Sequence, residues 1–90
     1  MESTPKGYTV VLERKVEKQL KSLPKADYLK VRTAIDKLAE NPRRHNAIKL
    51  TDSDNEYRFR VGSFRILYTI EDRILQVYII EIVNRRDAYR

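Results

Sequence analysis

Ninety residues leave room for one domain, expected to span 1–90, and a chain of this size needs one compact, continuous core. With no cysteine and one histidine, neither disulfides, nor a metal centre, nor a cofactor is expected, and no apolar run approaches the ~20 residues of a bilayer-spanning helix. Nineteen Lys and Arg against thirteen Asp and Glu leave a net charge of +6, which favours an anionic partner such as nucleic acid or an acidic protein.

The first seven residues are expected to fray, and MESTPKGY offers no hydrophobic stretch for a signal peptide, so the expected compartment is the cytoplasm. Tyr8-Thr-Val-Val-Leu12 is β-branched and aromatic and predicts a strand. From Glu13 the pattern turns helical, with Val16, Leu20 and Leu23 on one stripe until Pro24 closes it. A second helix is predicted from Ala26 to Glu40, with Tyr28, Val31, Ile35 and Leu38 on its apolar face, and Asn41-Pro42 stops it. Two such helices form an antiparallel αα-hairpin that needs a sheet to cover. Arg43 to Asn55 read as a polar connection, interrupted only by Ile48 and Leu50 and closed by the loop signal Thr51-Asp-Ser-Asp-Asn55. Three strands follow, Glu56 to Val61, Phe64 to Glu71 and Ile74 to Val83, then a basic tail over 84–90. The expected fold is α+β, in the order β-α-α-β-β-β, with a four-stranded, antiparallel-rich sheet carrying the helical hairpin on one face.

The most informative stretch is the hairpin. Gly62-Ser63 suits a two-residue type II′ turn, and such a loop sets the register. Tyr57 then faces Tyr68, Arg58 faces Leu67, Phe59 faces Ile66, Arg60 faces Arg65 and Val61 faces Phe64. Alternation sends the aromatic and apolar set to the core and Arg58, Arg60, Arg65, Leu67 and Thr69 to the other side. Like charges opposed across a strand pair are destabilising, so three converging arginines ask for a reason. Splaying into solvent, or pairing with distant carboxylates, is the structural alternative. A surface for phosphate or carboxylate is the functional one, because planar guanidinium forks suit those groups. The third strand is apolar on both faces, as a central strand beside the first one would be. Continued antiparallel, it would deliver Asn84 and Arg85 to the Gly62-Ser63 end, close to Arg60 and Arg65.

Asn41-Pro42-Arg43, Lys49-Leu50, Tyr57-Arg-Phe-Arg-Val-Gly62, Phe64-Arg-Ile-Leu-Tyr68 and Arg85-Arg86-Asp87-Ala88-Tyr89, in this order and spacing, resemble the RelE/ParE superfamily of toxin–antitoxin toxins. The resemblance spans nearly the whole chain. It implies a toxin of a type II system, neutralised by a cognate antitoxin protein. A RelE-type member enters the ribosome and cleaves mRNA, without metal, by attack of a 2′-hydroxyl on its adjacent phosphate. By position it implies Arg65, Arg85 and Tyr89 as catalytic residues, and Arg58, Arg60, Arg86 and Lys49 as RNA-binding ones. Two alternatives stay open: a ParE-like inhibitor of DNA gyrase without nuclease action, and a degenerate, non-toxic binding module. The departures from the RelE pattern bear on that choice. Asn84 stands where many relatives have His, and it cannot exchange a proton. Arg58 and Arg60 stand where some have Lys, and a guanidinium is a poorer base than an amine. His45 is titratable but falls in the connection after the second helix, where an exposed role is expected.

Overall fold

Val16 and Leu20 are the residues that the first helix buries, and Val31, Ala34, Ile35 and Leu38 those of the second, as their three- and four-residue spacings dictate. The computed structural model describes residues 7–52 and 55–84. It runs β1 (Thr9–Leu12), α1 (Arg14–Lys21), α2 (Lys25–Glu40), β2 (Ala47–Lys49), β3 (Glu56–Val61), β4 (Phe64–Glu71) and β5 (Gln76–Asn84), with a 3-10 turn at Asp72–Ile74. α1 has only 8 residues, fewer than the ~12–15 that hold a helix in water unaided, so docking of its two buried side chains maintains it. Ser22 to Pro24 connect the helices, and the Pro24 carbonyl accepts the first α2 bond, from Tyr28 N–H at 2.8 Å.

The strands form one mixed sheet in the order β1-β5-β4-β3-β2. The terminal strand β1 pairs in parallel with β5, and the other neighbours are antiparallel. Under the helices lies a single core in which Tyr57, Phe59, Phe64, Ile66, Tyr68, Ile70, Val77, Ile79 and Ile82 join the helical residues, and no charged group is buried among the described residues. Among those residues no helix is long and apolar enough to cross a membrane.

The α+β class and the expected element order hold, but the sheet has five strands rather than four. The additional strand, β2, lies inside what reads as a polar connection. Ala47, Ile48 and Lys49 pair with Phe59, Arg58 and Tyr57. Three residues carry too little alternation to signal a strand, and it is the open edge of β3 that gives them a partner. The last strand also starts two residues later than expected. Leu75 adopts a left-handed backbone, φ 50, which turns the chain out of the 3-10 segment, and its carbonyl accepts the Thr9 N–H at 2.8 Å to begin the parallel pairing. Ile74 and Leu75 are therefore exposed rather than part of a central strand.

Two further features shape β5. Leu67 faces Glu81 whereas Tyr68 faces Ile79, so Ile80 is an inserted residue, a β-bulge, and the core-facing positions step from Ile79 to Ile82. β1 ends opposite Ile79, which leaves the edge of β5 without a strand beyond it. Gln19 of α1 fills that place. Its amide donates to the Ile82 carbonyl at 2.8 Å and accepts the Ile82 N–H at 3.0 Å, so one side chain supplies both bonds that a neighbouring strand would have made.

A candidate anion-binding site on the open sheet face

The β3–β4 hairpin has the register that its turn requires: Tyr57 against Tyr68, Arg58 against Leu67, Phe59 against Ile66, Arg60 against Arg65 and Val61 against Phe64. Gly62 has φ 58, and Ser63 is not among the positive-φ residues, as a type II′ turn with glycine first demands. Directly opposed residues share a face, so the two arginines stand side by side away from the helices, with Arg58 two residues along. Together with Ile48 of β2 they line a small hollow of about 80 Å³. Arg58 and Arg65 are half-buried and Arg60 is exposed. None of the three guanidiniums has an ion-pair or hydrogen-bond partner among the described residues.

The surroundings keep the hollow cationic. Val83 flanks Arg65 and Leu67 faces Arg58, so the cross-strand positions beside these two arginines are apolar, while Glu56 stands on the same face two residues before Arg58. One carboxylate lies in the same cross-strand row, Glu81, and at the bulge it meets Lys15 of α1 instead, 3.6 Å away. Asn84 pairs with Phe64 at the turn end of the sheet, as the antiparallel continuation requires, and therefore falls on the core-facing side rather than among the arginines. Arg85, Arg86 and Tyr89, the remaining expected site residues, lie outside the described residues.

Lys49 is not brought to this site. It faces Tyr57, whose side chain enters the core, so the register sets Lys49 on the opposite face of the sheet from Arg58, Arg60 and Arg65. His45 is exposed in the turn before β2 and does not line the hollow. Ile48 does line it and was legible only as an apolar interruption in a loop.

At the other end of the hairpin, Arg43 has a structural task. Its guanidinium donates twice to Asp72, at 2.9 and 2.7 Å, and once to the Tyr57 hydroxyl at 3.2 Å, while lying 5.7 Å from the centre of the Tyr57 ring. Tyr8 donates to the same Asp72 at 2.8 Å. The Arg43 bonds first, and the Tyr8 bond second, hold the Asp72 carboxyl at about 2, below its ordinary value, and the bond to Asp72 pushes the Tyr8 phenol up. Tyr57 and Tyr68 stack with centroids 5.8 Å apart, and the buried Tyr68 hydroxyl donates to the Pro42 carbonyl at 2.6 Å. The segment Asn41-Pro42-Arg43 thus ties the exit of α2 to the start of β1 and to the β4–β5 turn. Among the described residues, three guanidiniums without a partner therefore remain towards the Gly62 end. They can hold a phosphodiester and stabilise added negative charge on it, but none of them can take a proton.

Comparison with known proteins gives this arrangement a lineage. A family model described as the ParE toxin of type II toxin–antitoxin systems, parDE, matches residues 10–89. A candidate toxin RelE1 of Methanocaldococcus jannaschii is 35% identical over 89 residues, covering 92% of this chain and 96% of that one. The archaeal RelE–RelB complex of Pyrococcus horikoshii OT3 superposes with a TM-score of 0.77 at 31% identity, over 88% of this chain and 96% of the other. The RelBE2 toxin–antitoxin complex of Mycobacterium tuberculosis shares the fold, with a TM-score of 0.79 at 24% identity over 93% and 98% of the two chains. This chain belongs to the RelE/ParE superfamily of type II toxin–antitoxin toxins.

Proposed function

We propose that the chain is a ribosome-dependent mRNA endonuclease, acting in the cytoplasm without a metal or other cofactor and held silent by a cognate antitoxin. The observation that carries this reading is the hollow of Arg58, Arg60 and Arg65, three guanidiniums without a partner among the described residues and kept together despite their mutual repulsion. The 2′-hydroxyl oxygen of one nucleotide attacks its own 3′-phosphate and the bond to the next 5′-oxygen breaks. The products are a 2′,3′-cyclic phosphate and a 5′-hydroxyl. The proton of the 2′-hydroxyl passes to solvent, and the leaving oxygen takes one back. Negative charge grows on the phosphoryl oxygens between the two events, so a guanidinium already in place binds the transition state more tightly than the substrate.

Arg65, central in the sheet and half-buried, takes that role, while Arg60 and Arg58 hold the flanking backbone. In the tail, Arg85 stabilises phosphate charge or the leaving oxygen and Tyr89 stacks on a base or orients the hydroxyl, with Arg86 a further phosphate contact. The antitoxin supplies an acidic to amphipathic segment that covers the arginine face. Primer extension on translating ribosomes tests this. Wild-type protein should leave discrete cuts, and Arg65→Ala should slow cutting by about 10²–10³-fold, the usual cost of one oxyanion donor. Cuts of unchanged intensity in Arg65→Ala would sink the assignment.

A second reading is inhibition of DNA gyrase. It is favoured by the match to the ParE family and by the lack, among the described residues, of a proton-accepting side chain in the hollow. Loss of supercoiling, or trapped DNA breaks, with mRNA left intact would select it.

A further inference from the structure

A second and larger concavity, about 510 Å³, lies on the helix side of the same hairpin, between α2 and the outer edge of β3. Lys30, Thr33 and Lys37 line one wall, Asn46 and Arg60 the other, and the floor is apolar and includes Phe59. Spacings of three and four residues put Lys30, Thr33 and Lys37 on one helix face, and the two ammonium groups start about 10 Å apart along the axis. Among the described residues, none that lines the groove is acidic, and Lys30, Lys37 and Arg60 have no ion pair. The volume lies within the roughly 300–1,000 Å³ range of ligand sites.

Two observations join this groove to the arginine hollow. Arg60 lines both. Lys30 also reaches the hairpin turn: a Cβ on Gly62 would come within 3.4 Å of its Cδ and 3.5 Å of its Nζ, so its ammonium stands at the turn that joins the strands of Arg60 and Arg65. An added peptide strand fits the place poorly. β2 pairs with β3 only as far as Phe59, and Leu50 N–H bonding to the Glu56 carbonyl shows that Glu56, Arg58 and Arg60 turn their backbone groups to that edge. Past β2, then, only the single residue Arg60 offers a pairing edge before the turn.

We propose that this groove is a second RNA subsite, which takes the nucleotide next to the one whose phosphate occupies the arginine hollow. Lys30 and Lys37 contact backbone phosphates, Thr33 and Asn46 hydrogen-bond the sugar or base edge, and Arg60 marks the boundary between the two subsites. This rests on RNA being the substrate of the hollow and extends that site by one nucleotide. The test is fluorescence anisotropy with 2′-O-methyl RNA, which lacks the nucleophile, so binding is read without cleavage. In Lys30→Ala/Lys37→Ala, affinity for an octamer should fall about tenfold at low salt, and the slope of log K against log salt should flatten by about 1.4, two contacts at ~0.7 each. Affinity for a 2′-O-methyl nucleoside 3′-monophosphate, which fills the arginine hollow alone, should not change. Thr33→Glu should reproduce the octamer loss by putting a carboxylate on the groove wall. Alanine is the best helix former and both lysines are exposed, so thermal melts should show the double variant folded.

An octamer affinity or slope unaffected by the substitutions overturns the proposal, as does an equal loss for the mononucleotide. Lysine-dependent binding of an oligoglutamate peptide with RNA binding intact overturns it too, in favour of an acidic polypeptide. Ribosomal cutting is scored separately. Lysine-dependent octamer binding by a wild-type protein that cuts no mRNA supports the subsite and removes the nuclease. Cutting with an insensitive octamer does the reverse.

Discussion

Arg60→Thr should make the protein more stable and a worse toxin. Arg60 lies directly across from Arg65 and two residues from Arg58 on the same face, with no carboxylate paired to any of them among the described residues. Charges about 7 Å apart in a water-like dielectric repel by about 0.6 kcal/mol per pair, so Arg60 feels about 1.2 kcal/mol before screening. A Debye length of ~30 Å at 10 mM salt leaves roughly 0.9 kcal/mol, and ~8 Å at 0.15 M leaves about 0.5 kcal/mol. Threonine keeps the strand preference without the charge. For a domain of this size the gain corresponds to about 4–7 °C in Tm at 10 mM salt and about 2–4 °C at 0.15 M. Thermal unfolding at 10 mM, 0.15 M and 1 M salt measures it, with Arg60→Lys as a control that keeps the charge and should gain nothing. A variant no more stable than wild type at 10 mM, or a gain that does not shrink with salt, would refute the idea that the hairpin carries an electrostatic load.

Three further outcomes follow from the bonds around the sheet. The Asp72 carboxyl is held at about 2 in the folded protein against an ordinary 3.8, so its contribution to stability is complete above about pH 5 and is lost as pH falls through the folded value. Melts of wild type and Asp72→Asn should therefore differ by a constant amount above pH 5 and converge towards pH 2, and a gap that widens in acid would contradict this. Gln19→Ala strips both partners from the Ile82 backbone and should cost about 1–3 kcal/mol in urea unfolding, with faster hydrogen exchange at the Ile82 amide. Gly62→Ala puts a Cβ on a residue with φ 58, a penalty of about 1–2 kcal/mol even though the flexible Lys30 can yield, and equal stability would exclude the type II′ turn.

The sequence by itself determined the features that depend on short-range periodicity. The two helical stripes, the hairpin register and the opposition of Arg60 and Arg65 all follow from local spacing and one two-residue turn, which admits few alternatives. The tertiary structure decided whatever depended on partners distant in the chain. Ala47–Lys49 became a strand because β3 had an open edge, and that pairing set Ile48 beside the arginines and Lys49 on the far face. Gln19 stands in for a strand 63 residues away, and Arg43 meets Asp72 across 29 residues and Tyr57 across 14. The bulge at Ile80 brought Glu81 to Lys15, so among the described residues no carboxylate pairs with the arginines of the hollow. Contacts of this kind leave no period in the sequence, because the geometry that makes them favourable exists only once the chain has closed on itself.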